Sequence, residues 1–139
     1  MCIRDREALV VVLEHGSDFA MGNAARCLGN IVDENLGMAG LVAGDARAMA
    51  CLVKIAGNGR DKSRGNACQT LGKLCEPHGA VDAADGAAIA RHRDMVGGMA
   101  GALAALLRTA VSCEPDVQMQ VCVCVCVCVC VCVCICAYI

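Results

Sequence analysis

The phrase MGNAARCLGNI at residues 21–31 returns 43 residues later as RGNACQTLGKL at residues 64–74. Sliding the sequence by 43 places residues 8–32 on 51–75, and nine of those 25 positions are identical: Leu9/Leu52, Val10/Val53, Gly16/Gly59, Asp18/Asp61, Gly22/Gly65, Asn23/Asn66, Ala24/Ala67, Leu28/Leu71 and Gly29/Gly72. Others are conservative, such as Val12/Ile55 and Ile31/Leu74. A repeat of this length constrains the fold more than composition does. Units of about 40 residues bury their apolar faces only by leaning on like neighbours.

Each copy parses into helices. The segment REALVVVLEHG closes with Gly16 as a C-cap, and ARAMACLVKIAGNG closes in the same way with Gly57 and Gly59. Ser17 or Asp18 in the first copy, and Asp61 in the second, are side chains suited to cap the next helix. Ala24, Cys27, Leu28 and Ile31 then mark one apolar face, and Ala67, Thr70, Leu71 and Leu74 repeat it. A short Gly-rich helix is expected at residues 35–45. The unit is therefore one short helix followed by two longer ones. An interior glycine costs a helix about 1 kcal/mol relative to alanine, so the matched Gly29 and Gly72 are read as notches that let a neighbouring helix come close.

A third copy begins and breaks off. Residues 95–110 form another apolar segment, Glu114, Pro115 and Asp116 make a helix start with proline in the first turn, and Asp116 and Met119 keep the spacing of Asp18 and Met21. Where the Asn-Ala helix should follow, the sequence turns into strict Val-Cys alternation over residues 121–139. That tail is read as a translated GT dinucleotide run, retained intron beginning after Gln120. Two rival readings are a tail anchor, since 19 uncharged apolar residues are long enough to span a bilayer, and a C-x-C metal or redox tail. The opening MCIRDR, residues 1–6, resembles translated library adapter and is set aside as a leader. The expected organisation is thus a leader 1–6, repeats 7–33, 34–76 and a truncated 77–120, and a low-complexity tail 121–139.

The composition suits close-packed helices: one Phe, one Tyr, no Trp, 15 Gly and 58% hydrophobic residues, carried mainly by small side chains. A formal net charge of −2 is too near zero to argue for nucleic-acid or anionic-membrane binding, and neither is expected. Of the 14 cysteines, eight lie in the tail and Cys2 in the leader. Cys27, Cys51, Cys68, Cys75 and Cys113 fall singly on apolar positions and read as buried, reduced thiols, which points to a reducing compartment, cytoplasmic or nuclear.

The pattern of an apolar helix, a Gly/Asp turn and a helix of the form NAARCLGNIV or NACQTLGKLC resembles the armadillo repeat, over about residues 7–120. The resemblance implies an all-α, armadillo-like α-α superhelix, or solenoid, whose third helices line a groove that binds extended peptides. It implies a protein-interaction scaffold with a protein or peptide partner, no enzymatic activity and no cofactor. In the importin-α members of the family a Trp and, four residues on, an Asn clamp a basic peptide. The matching positions here are Arg26 and Asn30 in the first copy and Gln69 and Lys73 in the second; only Asn30 keeps the family residue. Nuclear-signal recognition is therefore not expected, and Arg26 with Lys73 suit an acidic partner.

Chemistry is thinly represented. His15, His78 and His92 are scattered, with no paired-carboxylate, nucleophile-elbow or zinc-binding motif around them. GNGRDKSRGN, residues 57–66, lacks both the Gly-Lys-Ser/Thr ending and the preceding strand of a phosphate loop. ARHRD, residues 90–94, has none of the companion motifs of a kinase catalytic loop and reads as an exposed turn.

Overall fold

A computed structural model describes residues 3–33 and 35–75, together with positions 87, 90, 91, 94, 95, 98, 101, 104 and 115. Most of the truncated third copy, Cys113 included, and the whole of the Val-Cys tail lie outside the described residues. Within them the chain is helical, with no strand: α1 (Ile3–His15), α2 (Asp18–Val32), α3 (Leu36–Ala43), α4 (Ala46–Asn58) and α5 (Asp61–Cys75). The all-α expectation holds. None of these helices is long and apolar enough to cross a membrane by itself.

The helix boundaries follow local chemistry. Ser17, in extended backbone, accepts the Ala20 N–H and so starts α2. Asn35 does the same for α3 through Met38, and Asp45 for α4 through Arg47 and Ala48. The turns after α1 and α4 are closed by the N–H groups of Gly16 and Gly59, which donate to the carbonyls of Val12 and Ile55. Two expectations are corrected. Gly57 is not a cap, because α4 continues through Asn58. Asp61 is not an N-cap either: it is the first helical residue of α5, and the capping position falls to Arg60, whose side chain cannot accept a hydrogen bond. In the leader 1–6, the helical backbone reaches back to Ile3, and Arg6 Nη1 donates to the Leu41 carbonyl of α3 at 3.1 Å.

The core lies among all five helices. Val10 and Leu13 from α1, Leu28 and Val32 from α2, Val42 from α3, Leu52 from α4 and Leu71 and Leu74 from α5 are fully buried or nearly so. Each such side chain contributes about 2 kcal/mol relative to exposure. Small residues fill the rest: Ala24, Ala25, Ala39, Ala43, Ala56, Ala67 and Cys68 are also buried, as a core without large aromatics requires. The expected thiol burial holds in part. Cys68 and Cys75 are buried, Cys51 is half-buried and Cys27 is exposed.

The longest shared surface is between α2 and α5. Their contacts run in step from Asp18 and Arg60 at one end to Asp33 and Lys73 at the other, so the two helices lie side by side and parallel. Small residues set their closeness. A Cβ at Gly22 would come within 2.6 Å of Ser63 Oγ and 2.9 Å of Ser63 Cα, and one at Gly29 would come within 2.6 Å of Thr70 Oγ1. Two glycines seven residues apart on α2 thus receive two hydroxyl side chains seven residues apart on α5. Gly29 is the notch its position implied; Gly72, its counterpart, is buried.

Candidate functional site

Parallel helices carrying the same phrase present matched stripes to solvent. On α2 the stripe is Phe19, Asn23, Arg26 and Asn30; on α5 it is Lys62, Asn66, Gln69 and Lys73. Within each helix these residues are spaced by four, three and four, which keeps them on one face. Between helices every pair differs by 43, the offset of the repeat itself. Arg26, Asn30 and Gln69 are exposed, while Lys73 is half-buried.

The four residues singled out from sequence therefore occupy one continuous surface, at its C-terminal half. Lys73 is already engaged there: its Nζ donates to Asp33 Oδ2 at 2.5 Å, which ties the C-terminal ends of α2 and α5 together. Of the two basic residues expected to suit an acidic partner, Lys73 is thus ion-paired and Arg26 is exposed.

The N-terminal half of the surface deepens into a cleft of about 380 Å³ lined by Ser17, Asp18, Phe19, Gly22, Asn23, Arg60, Lys62, Ser63 and Asn66. The missing side chain of Gly22 admits Ser63 at its floor. Asn66 Nδ2 donates to the Gly22 carbonyl at 3.0 Å, fixing the orientation of that amide. Phe19 stands at the edge, 70% exposed. It is the protein's single phenylalanine.

Asp18 is the acid in the cleft, and it is occupied. Its Oδ1 accepts the Arg60 N–H at 3.1 Å, and Ser63 Oγ lies 2.8 Å from Oδ2 and 2.9 Å from the Asp18 carbonyl oxygen, its proton shared between them. These bonds, the Arg60 N–H first and the Ser63 hydroxyl second, hold the carboxyl below its ordinary range. Asp18 so satisfies the Arg60 N–H at the start of α5 and, through the Ser63 hydroxyl, ties the first turn of α5 to α2. Deeper along the seam, Thr70 Oγ1 lies 2.8 Å from the Ala25 carbonyl and 2.9 Å from its own Asn66 carbonyl.

Elsewhere the polar groups are arranged for support. Arg47 on α4 holds two acids of α1, donating to Glu7 Oε1 at 2.7 Å and in a two-pronged grip to Glu14 at 2.8 and 2.6 Å. That grip lowers the Glu14 pKa. Burial pushes the Cys51 thiol up, away from the reactive thiolate. Among the described residues no group of three or more His, Cys, Asp or Glu side chains could hold a metal ion. The GNGRDKSRGN stretch is the end of α4, the two-residue turn of Gly59 and Arg60, and the start of α5, and Arg64 Nε donates back to the Gly59 carbonyl. Ala90, Arg91 and Asp94 of ARHRD are exposed, as expected, but helical and not a turn.

Sequence reasoning missed Phe19, Asn23, Lys62 and Asn66 as site residues. Asn23 and Asn66 had been aligned as identical positions; continuing the stripe one turn toward the N-terminus from Arg26 and Gln69, and a further turn to Phe19 and Lys62, would have found all four. Comparison with family models, with curated proteins and with solved structures returns no match to this chain.

Proposed function

We propose that this protein is an interaction module of the armadillo type, a short helical solenoid in which α2 and α5 present a ladder of side chains to an extended segment of a partner protein. The observation that carries the reading is the pair of matched stripes, Phe19, Asn23, Arg26 and Asn30 beside Lys62, Asn66, Gln69 and Lys73, on parallel neighbouring helices. Primary amides suit this role, since each offers both a donor and an acceptor to a peptide backbone. The one acid in the cleft is consumed in capping α5, which leaves it poorly placed for proton transfer. Binding, not catalysis, is the activity we assign, with a protein or peptide as partner and no cofactor.

A random-peptide display selection against the full chain tests this. Selected peptides should lose binding to an Asn30→Lys/Gln69→Glu variant, in which two exposed ladder positions are altered and the core is untouched. Selected peptides that bind the variant as well as the parent, or a selection that enriches nothing, would reject the reading.

A further inference from the structure

The ladder differs in charge from the molecule that carries it. Of its eight positions Arg26, Lys62 and Lys73 are basic and none is acidic, in a chain whose formal net charge is −2. Arg60 adds a guanidinium at the cleft. Of the neighbouring acids, Asp18 is held by the Arg60 N–H and the Ser63 hydroxyl, Asp33 by Lys73, and the exposed Asp61, beside Lys62, lies 3.9 Å from Arg64. Glu7 and Glu14 are held by Arg47 at the α1–α4 contact. Beside the cations, the exposed ring of Phe19 supplies an apolar surface.

From this juxtaposition of exposed cations with one open aromatic ring, and resting on the docking reading above, we infer that the segment bound along α2 and α5 is an acidic, apolar-tipped stretch of extended polypeptide. Its apolar residue seats against Phe19 at the cleft, and its carboxylates meet Lys62 and Arg26. Lys62 stands level with Phe19 and Arg26 with Gln69, an axial offset of seven residues. Seven helical residues span about 10 Å, and the axes of packed helices lie about 8–10 Å apart, so the diagonal from Lys62 to Arg26 is about 13–14 Å, which about four residues of extended chain cover. Carboxylates about four residues apart therefore meet both cations. Because Arg26 and Lys62 are exposed, the attraction is screened by salt and acts more on partner choice than on raw affinity.

The test titrates the full chain into short fluorescein-labelled peptides of three compositions, Glu/Leu, Lys/Leu and Ser/Leu, and into a labelled oligothymidylate, reading anisotropy at low and physiological ionic strength. The Glu/Leu peptide is expected to bind about tenfold tighter than the Ser/Leu peptide at low salt, and to lose most of that advantage at physiological salt. The Arg26→Glu/Lys62→Glu variant is expected to lose the advantage while keeping its helical circular dichroism. Should the Lys/Leu or Ser/Leu peptide bind best, the acidic preference is overturned and the docking reading stands. Binding of none of the three peptides overturns both. Oligothymidylate binding as tight as that of the Glu/Leu peptide, or a folded double variant that binds the Glu/Leu peptide unchanged, overturns the inference, by placing the recognition in bare charge or at another surface.

Discussion

Helices α2 and α5 share a phrase and differ in what they do with it. In α2 the side facing its partner is hollow, with Gly22, Ala25 and Gly29 receiving Ser63 and Thr70. In α5 the side facing back is filled by those two hydroxyls, while Gly65, Cys68 and Gly72, the counterparts of the hollow residues, are buried as well. Cys27 and Thr70 occupy equivalent positions, yet the first is exposed and the second fully buried. Ser17 caps its own helix; Arg60, its counterpart, relies on Asp18 from the neighbour. One phrase thus supplies two mating faces, and the side on which a helix stands determines which face is used.

The sharpest way to break this relation is to fill the hollow. Gly22→Val is expected to destabilise the protein by about 3 kcal/mol, since its first added carbon already meets the Ser63 backbone, and overpacking of this kind costs about 1–3 kcal/mol. Urea unfolding followed by helical circular dichroism would show a lower midpoint, and an unchanged midpoint would mean that the helices do not pack this closely. Removing the borrowed cap comes next. Asp18→Ala is expected to lose about 1–2 kcal/mol, with Asp61→Ala, at the equivalent position of α5, losing less. Because the folded-state pKa of Asp18 lies below its ordinary value, its stabilisation is present above the usual carboxylate range and fades as pH falls through the lowered value. The parent should therefore lose stability on acidification below about pH 4 more steeply than Asp18→Ala does.

Smaller effects separate the two equivalent positions. Thr70→Val exchanges a hydroxyl bonded across the seam for a methyl and is expected to cost about 1 kcal/mol, whereas Cys27→Val should leave the unfolding midpoint nearly unchanged. Equal shifts at the two sites would erase the asymmetry. Lys73→Gln releases an ion pair at the C-terminal ends of α2 and α5 and should cost less than about 1 kcal/mol, with the difference shrinking in added salt.

The repeat and its caps made the helices legible before any coordinates, because a 43-residue echo, Gly16 and Gly59 after apolar runs, and Ser17 at a helix start are local signals. Gly29 was legible too, since an interior glycine at matched positions asks for a close neighbour. What stayed hidden was relational. Whether Cys27 or Thr70 is covered depends on which side of its helix is occupied, and periodicity alone does not say. The link from Asp18 to Arg60 spans 42 residues, and nothing in the local spacing around Asp61 shows that its helix is capped from elsewhere. The candidate site was half legible. Arg26, Asn30, Gln69 and Lys73 followed from resemblance, but the cleft at Phe19 and Lys62 needed two helix ends brought together, and the tie between Lys73 and Asp33 needed their far ends in register.

The carboxylate that α2 lends to α5 makes the start of one helix conditional on the presence of another. A duplicated copy of residues 34–76, moved behind a helix without an acid at the position of Asp18, would arrive with the Arg60 N–H and the Ser63 hydroxyl lacking that carboxylate. Arg60 in place of a serine therefore binds the second unit to its position after the first, and the order of the two is written into their chemistry as well as into the chain.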